Sequence, residues 1–284
     1  VNIRPIALLT NDPDEVFQRG VIAGALAAAH MRGYAVQVYT IHDPVRDIDA
    51  IEQDLRACSG ALVLTNVLPD PLLRRLRDTL RLPVSLVAHI VPELDIPGIA
   101  SNNRQGMAIL MEHIVVACQR TRPVFICGDL NQNDGRARRL GFELEMMRYD
   151  LDLDQRYFIP GEFIPSVAAD AMQQFLELQI PFDSVVASDY QMGIAALAVL
   201  RERGISVPDE VAVIGFGDGI DAISAGLTTL AADIVDVGKR GMYQLFGQLE
   251  GLTIRGLTVL NTHLIVRDTT ILRSAKESPN ALSS

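Results

Sequence analysis

The stretch Val185–Phe216 reads VVASDYQMGIAALAVLRERGISVPDEVAVIGF and holds a complete strand–helix–strand unit. Ser184-Val185-Val186-Ala187 is a short apolar run with β-branched residues, the pattern of a strand covered on both faces. The spacing predicts a helix from Gln191 to Arg203 that stops at Gly204, then a second strand, Val211–Ile214, running into a glycine-rich turn. Towards the N-terminus the rhythm repeats. Strands are predicted at Ile6–Leu9, Tyr34–Thr40, Ala61–Leu64 and Val84–Val87, with helices at about 15–32, 47–57 and 72–80 between them. Closer in, Met107, Leu110, Ile114 and Cys118 share one helical face, Val124–Cys127 reads as a strand, and a helix follows from Gly135 to about Tyr149. Met172, Phe175, Leu176 and Gln179 mark another helix. Beyond the quoted stretch, Val237, Gly241, Leu245 and Leu249 give a helix, Thr258–Val266 a final strand, and Arg273–Ser284 a polar tail. Short apolar strands alternating with helices predict an α/β fold of two doubly wound parallel-sheet lobes.

Composition narrows the partners. The 284 residues are 49% apolar, enough for a full core, and carry 35 carboxylates against 25 Lys and Arg for a net charge of -10. Such a surface repels phosphate backbones, so the chain is not expected to grip nucleic acid unaided. No apolar run approaches the roughly 20 residues needed to span a bilayer, so no membrane partner is expected. Cys58, Cys118 and Cys127 have no C-x-x-C spacing and sit among apolar or small residues, which reads as buried thiols in a reducing, cytoplasmic setting.

Catalytic patterns do not emerge. The histidines His30, His42, His89, His113 and His263 have no metal-ligand spacing, and neither a G-x-S-x-G elbow nor a P-loop lysine is present. Gly215-Phe216-Gly217-Asp218-Gly219 reads as a tight turn with no helix pattern directly after it, and Glu143 and Glu145 as solvated carboxylates. No cofactor, metal or catalytic group is therefore expected. A different set of polar groups gathers where the predicted strands end: Asn11, Asp134 and Arg138, Ser188 with Asp189, and Asp218, with the aromatics Phe17 and Phe163 near such loops. Aromatic faces with a few directed hydrogen-bonding groups suit a small polar ligand, a sugar or a nucleobase.

Several segments together resemble the effector-binding core of the LacI/GalR-type transcription regulators, relatives of the periplasmic sugar-binding proteins. Ile99-Ala100-Ser101-Asn102-Asn103-Arg104-Gln105-Gly106 is similar to the family's V-x-x-D-N-x-x-G, Arg138-Arg139-Leu140-Gly141-Phe142 to its R-x-x-G-F, and Gly161-Glu162-Phe163 to its G-D-F. The quoted stretch follows the family's N-D-x-x-A-x-G … V-P-x-D-V-x-V-x-G-F, and Leu227-Thr228-Thr229 and Leu264–Arg267 its closing segments. The resemblance implies two lobes joined by three crossovers, with the ligand between them. It assigns residues 1–101 and 233–261 to one lobe and 102–232 and 262–272 to the other, leaving 273–284 as tail or linker. By motif it places ligand contacts at Asn11 and Phe17 in the first lobe and at Asp134, Arg138, Phe163, Ser188 and Asp218 in the second, with Arg138 foremost because its fork binds planar acceptor pairs.

The departures from the family pattern shape the expectation. Ala88 stands where relatives often have aspartate, Ser188-Asp189 replaces N-D, and Gly217 takes the aspartate position of G-F-D with Asp218 one place later. Two carboxylates that commonly clamp sugar hydroxyls are thus missing or displaced, and an ordinary neutral sugar bound in the usual way is not expected. Asn2-Ile3-Arg4-Pro5 leads straight into the first strand, so DNA contact is expected only through a helix-turn-helix part outside this sequence. The resemblance implies a non-enzymatic small-molecule sensor acting as a homodimer through first-lobe helices. The alternatives are the same sensor fused to a cyclase or kinase output, or a transport-linked solute-binding protein.

Overall fold

The computed structural model describes residues 4–271, and the predicted tail at 273–284 lies outside them. The described residues form two compact units, 4–101 with 233–260 and 102–232 with 261–271, so the chain passes between units three times. Two of these passages lead directly into helix N-caps. Asn102 accepts the backbone N–H of Gln105 ahead of α4 (Asn103–Glu112), and Asp233 accepts that of Asp236 ahead of α9 (Ile234–Leu249). A side-chain acceptor at each start satisfies an otherwise orphaned helix donor.

In the first unit, six parallel strands lie in the order β11 (Leu257–Leu260), β5 (Gly98–Ser101), β4 (Val84–Val87), β3 (Gly60–Val63), β1 (Ile6–Thr10), β2 (Val36–Thr40). The strands β1, β3 and β4 are buried along their whole length, which is why they read as unbroken apolar runs. Helix α1 (Val16–Met31) begins where the Glu15 carboxylate takes the N–H groups of Phe17 and Gln18, and the chain leaves it through Gly33 at φ 73°. It packs on α9 through glycine: a Cβ on Gly24 would lie 2.0 Å from the Val235 carbonyl oxygen, and one on Gly238 would lie 2.0 Å from that of Val21.

In the second unit the order is β12 (His263–Ile265), β10 (Thr228–Ala231), β9 (Ala212–Phe216), β8 (Ser184–Ala187), β6 (Pro123–Cys127), β7 (Phe158–Pro160), with β12 alone antiparallel. Neighbouring residues of β8 serve opposite faces. Val185 joins Val124, Met172 and Leu200 on one side, and Val186 joins Met107, Phe125 and Phe142 on the other. The first side is covered by α6 (Pro165–Glu177) and α7 (Tyr190–Glu202), the second by α4 and α5 (Asn133–Arg148).

Several expectations need correction. The single strand predicted over Thr258–Val266 is two: Leu257–Leu260 closes the first sheet, and after Asn261-Thr262 the chain pairs Leu264 antiparallel to Leu230 in the second. A short helix, α8 (Ile220–Ala225), does open directly after the glycine-rich turn. Glu145 is not solvated but 2% exposed, with Arg148 at 3.1 Å, and Cys118 is only half-buried, its Sγ 3.5 Å from His113 Nε2. The helix predicted at 72–80 starts earlier, as α3 (Asp70–Arg74), and finishes in a π turn, Arg75–Thr79.

Candidate functional site

In the second unit, the loops after β6, β8 and β9 carry the residues that matter. Asp134 and Arg138 lie one turn apart at the start of α5, so both side chains leave the same helical face. Their ion pair spans 3.1 Å with both groups largely buried. The rest of the guanidinium is held from two other segments. Arg138 Nε donates to Asn103 Oδ1 at 2.9 Å, and Nη1 donates to the Ser188 carbonyl at 2.7 Å. Asn103 in turn donates through Nδ2 to Asp134 Oδ1 at 2.8 Å, closing a triangle of Arg138, Asp134 and Asn103.

Aromatic rings flank this group. The guanidinium carbon sits 3.8 Å from the centre of the Phe216 ring and 5.7 Å from that of Phe163. A cation over a desolvated ring is stabilised by about 2 kcal/mol. Glycine makes room for both rings: a Cβ on Gly106 would lie 2.6 Å from Phe216, and one on Gly128 would lie 2.2 Å from Phe163. Phe163 reaches its place through two consecutive left-handed residues, Glu162 at φ 55° and Phe163 at φ 61°. Each costs about 1 kcal/mol, backbone strain of the kind that clusters at ligand sites.

The polar accounting leaves a remainder. Arg138 has five N–H donors, and its three hydrogen bonds leave two unspent. The Ser188 hydroxyl is fully buried with no partner. Burial pulls the Arg138 pKa down while Asp134 and Asp189 push it back up, and guanidinium stays protonated at neutral pH regardless.

Asp218 is occupied elsewhere. Arg267 donates to it from both terminal nitrogens, at 2.8 and 2.9 Å, and the Thr229 hydroxyl donates at 2.9 Å. Burial pushes its pKa up, but the bonds from Arg267 and Thr229, the Arg267 charge and the Gly219 N–H outweigh that and hold it below the usual value. A depressed folded pKa contributes stability that is present above the unfolded value, about pH 3.9, and is lost as pH falls through the folded one. Asp218→Asn is therefore expected to lower the stability at pH 7 and flatten its decline below about pH 4, as read by urea denaturation at stepped pH. An unchanged acid limb would contradict this.

In the first unit, Asn11 follows β1 and its Oδ1 accepts from Gln18 Nε2 at 2.6 Å, while Gln18 Oε1 accepts from the Thr10 hydroxyl. Phe17, in the first turn of α1, packs half-buried against the core. Ala88 is buried in the left-handed region at φ 52°. The sequence reading missed Asn66, which follows β3 at φ 48° with a buried, unpartnered Nδ2. It also missed Asn103 and Phe216 as partners of Arg138, although both lie in quoted motifs. Among the described residues there is no cluster of metal-ligating side chains and no helix long and apolar enough to cross a membrane.

A family model for the periplasmic binding protein-like domain matches residues 116–270, more than half of the chain. The chain belongs to the periplasmic binding protein-like domain family. It is 26% identical to the HTH-type transcriptional repressor CytR of Escherichia coli (strain K12), over 94% of this chain and 79% of the repressor. The lac repressor dimer bound to operator and the anti-inducer ONPF superposes with a TM-score of 0.85 at 19% identity, covering 95% of each chain. The regulator CelR in its cellobiose complex gives 0.80 at 24% identity, over 95% of this chain and 86% of that one. The resemblance to LacI/GalR-type regulators and the expected α/β fold both hold.

Proposed function

We propose that this chain is the small-molecule-sensing domain of a LacI/GalR-type transcription regulator, and that the Arg138 group is its ligand-recognition centre. One observation carries the assignment: a buried guanidinium with two unspent N–H donors sits beside a buried serine hydroxyl with no partner. Buried polar groups in native proteins are almost always satisfied, so these unspent donors mark where a ligand's acceptors bind. The family resemblance assigns further contacts to Asn11 and Phe17. The ligand is a small polar molecule, a sugar or nucleobase type. Binding favours the conformation with the higher affinity for it, and the output follows that shift. The role is non-enzymatic and cytoplasmic, with DNA reached only through a separate reading domain.

The test is a thermal-denaturation screen of the full chain against sugars, nucleobases and nucleosides. A ligand at about 100 times its Kd stabilises the fold by about 2.7 kcal/mol, a shift of several degrees. No shift with any of them would contradict the reading. Ser188→Ala discriminates further, because removing an unpartnered hydroxyl leaves the unliganded melting temperature unchanged or slightly raised. The same variant is expected to cut the ligand-induced shift at a fixed concentration by about half or more. Homodimerisation belongs to the same proposal, and a monomer by light scattering at micromolar concentration would count against it.

A further inference from the structure

Helix α5 buries one face and leaves the other uncovered. Phe142 and Met146 pack into the core, and Gly141 meets α4, where an added Cβ would lie 2.9 Å from Met107. On the outward face Leu140 is 56% and Met147 64% exposed, with Leu144 half-buried between them. Positions 140, 144 and 147 recur every three to four residues, so the three side chains form one stripe, about 10 Å long at 1.5 Å per residue. The outer face of a surface helix is ordinarily polar. Single exposed leucines need no explanation, but an apolar stripe edged by charge marks a contact surface.

The edge is arginine. Arg104 and Arg148 are 64% and 60% exposed and approach the same carboxylate, Glu145, at 4.0 and 3.1 Å. Glu145 is only 3% exposed, so its charge lies beneath theirs. Arg136, one turn before Leu140, is held by neutral acceptors: the carbonyls of Leu130 and Asn131, each at 2.9 Å, and the Asn133 side chain. The other carboxylates lie low or at the margin: Glu143 is 26% exposed and paired with Arg139, Glu112 lies on α4, and Asp150 follows the helix.

We infer that this face of α5 docks an acidic amphipathic helix of a partner protein. The stripe takes the partner's apolar residues at helical spacing, and Arg104, Arg136 and Arg148 meet its flanking carboxylates. The net charge of -10 on the whole chain does not forbid this, because charges more than about 8 Å away are largely screened at physiological salt. The chain's own segment 272–284 carries Arg273 and Lys276 against Glu277, so it has the sign of the rim and not of its complement. A second copy docking by the same face would bring another arginine-edged stripe.

The probe is a display library of helices about 18 residues long, sorted on the full chain. Each has a fixed leucine stripe and polar positions drawn equally from Glu, Gln and Lys. Selected sequences are expected to favour Glu over Lys beside the stripe several-fold. Their binding, read by fluorescence anisotropy, should weaken several-fold between about 50 and about 300 mM salt. The double variant Leu140→Glu with Met147→Glu should weaken it at least about tenfold at an unchanged melting temperature, since both sites are exposed and glutamate suits a helix. Arg148→Gln should weaken it several-fold and flatten the salt dependence. Selection of Lys-rich or uncharged helices, or equal binding to the double variant, overturns the inference. So does concentration-dependent self-association by light scattering that the double variant abolishes, because the occupant would then be a second copy.

Discussion

Replacing Gly24 by alanine is expected to destabilise the first unit by about 3 kcal/mol, a severe effect for one methyl group. Helix propensity alone argues the other way, since alanine is favoured over glycine in a helix interior by about 1 kcal/mol. Packing decides the sign. The added carbon would lie 2.0 Å from the Val235 carbonyl oxygen, 2.9 Å from its carbon and 3.1 Å from Lys239 N, all backbone atoms of the facing helix. No side chain can swing aside to relieve the overlap, so α1 and α9 must move apart. The reciprocal approach of Gly238 to the Val21 carbonyl would open with it. Chemical denaturation of Gly24→Ala should show a markedly lower midpoint. A midpoint at or above the wild-type value would mean that the two helices do not meet backbone to backbone.

Arg138→Ala should remove both ligand response and part of the fold's stability. Cutting one member from a buried ion pair costs about 3–5 kcal/mol, because the remaining charge keeps its desolvation cost without its partner. Here the remaining groups are Asp134, Asn103 Oδ1 and the Ser188 carbonyl, and Phe216 loses the cation stacked on it. At about 2–4 °C per kcal/mol, the melting temperature should fall by roughly 10 °C, with no shift by any compound that stabilises the wild type. Ser188→Ala separates the two effects, since it is expected to impair ligand response with the fold's stability intact. If Arg138→Ala kept the full ligand-induced shift, the recognition centre would have to lie elsewhere.

The strands covered on both faces were legible from the sequence. Val185 and Val186 face opposite helical layers, so both are apolar and the run announces itself. Where burial is partial, the signal fades. Strand β7 is three residues ending in Pro160, and β11 is exposed along most of its length. The split between β11 and β12 falls at Asn261-Thr262, where no glycine or proline marks the break. At the site, Arg138 and Asp134 were legible because they share a helix at i and i+4. Asn103 lies 35 residues from Arg138, and Phe216 comes from a third segment, so no local period encodes their meeting. Asp218 could be placed near a strand end from sequence, but its ion pair with Arg267, 49 residues away, could not. Asn66 carried a weaker signal, an asparagine following an apolar strand, and asparagine tolerates the left-handed conformation it adopts there.

The most direct test of the account is amide hydrogen exchange of the full chain, with and without the compound that gives the largest thermal shift. Added protection is expected at residues 134–138, 161–164 and 188–192, where the Arg138 group and its flanking ring are anchored. Protection confined to other segments, with these three unchanged, would contradict it.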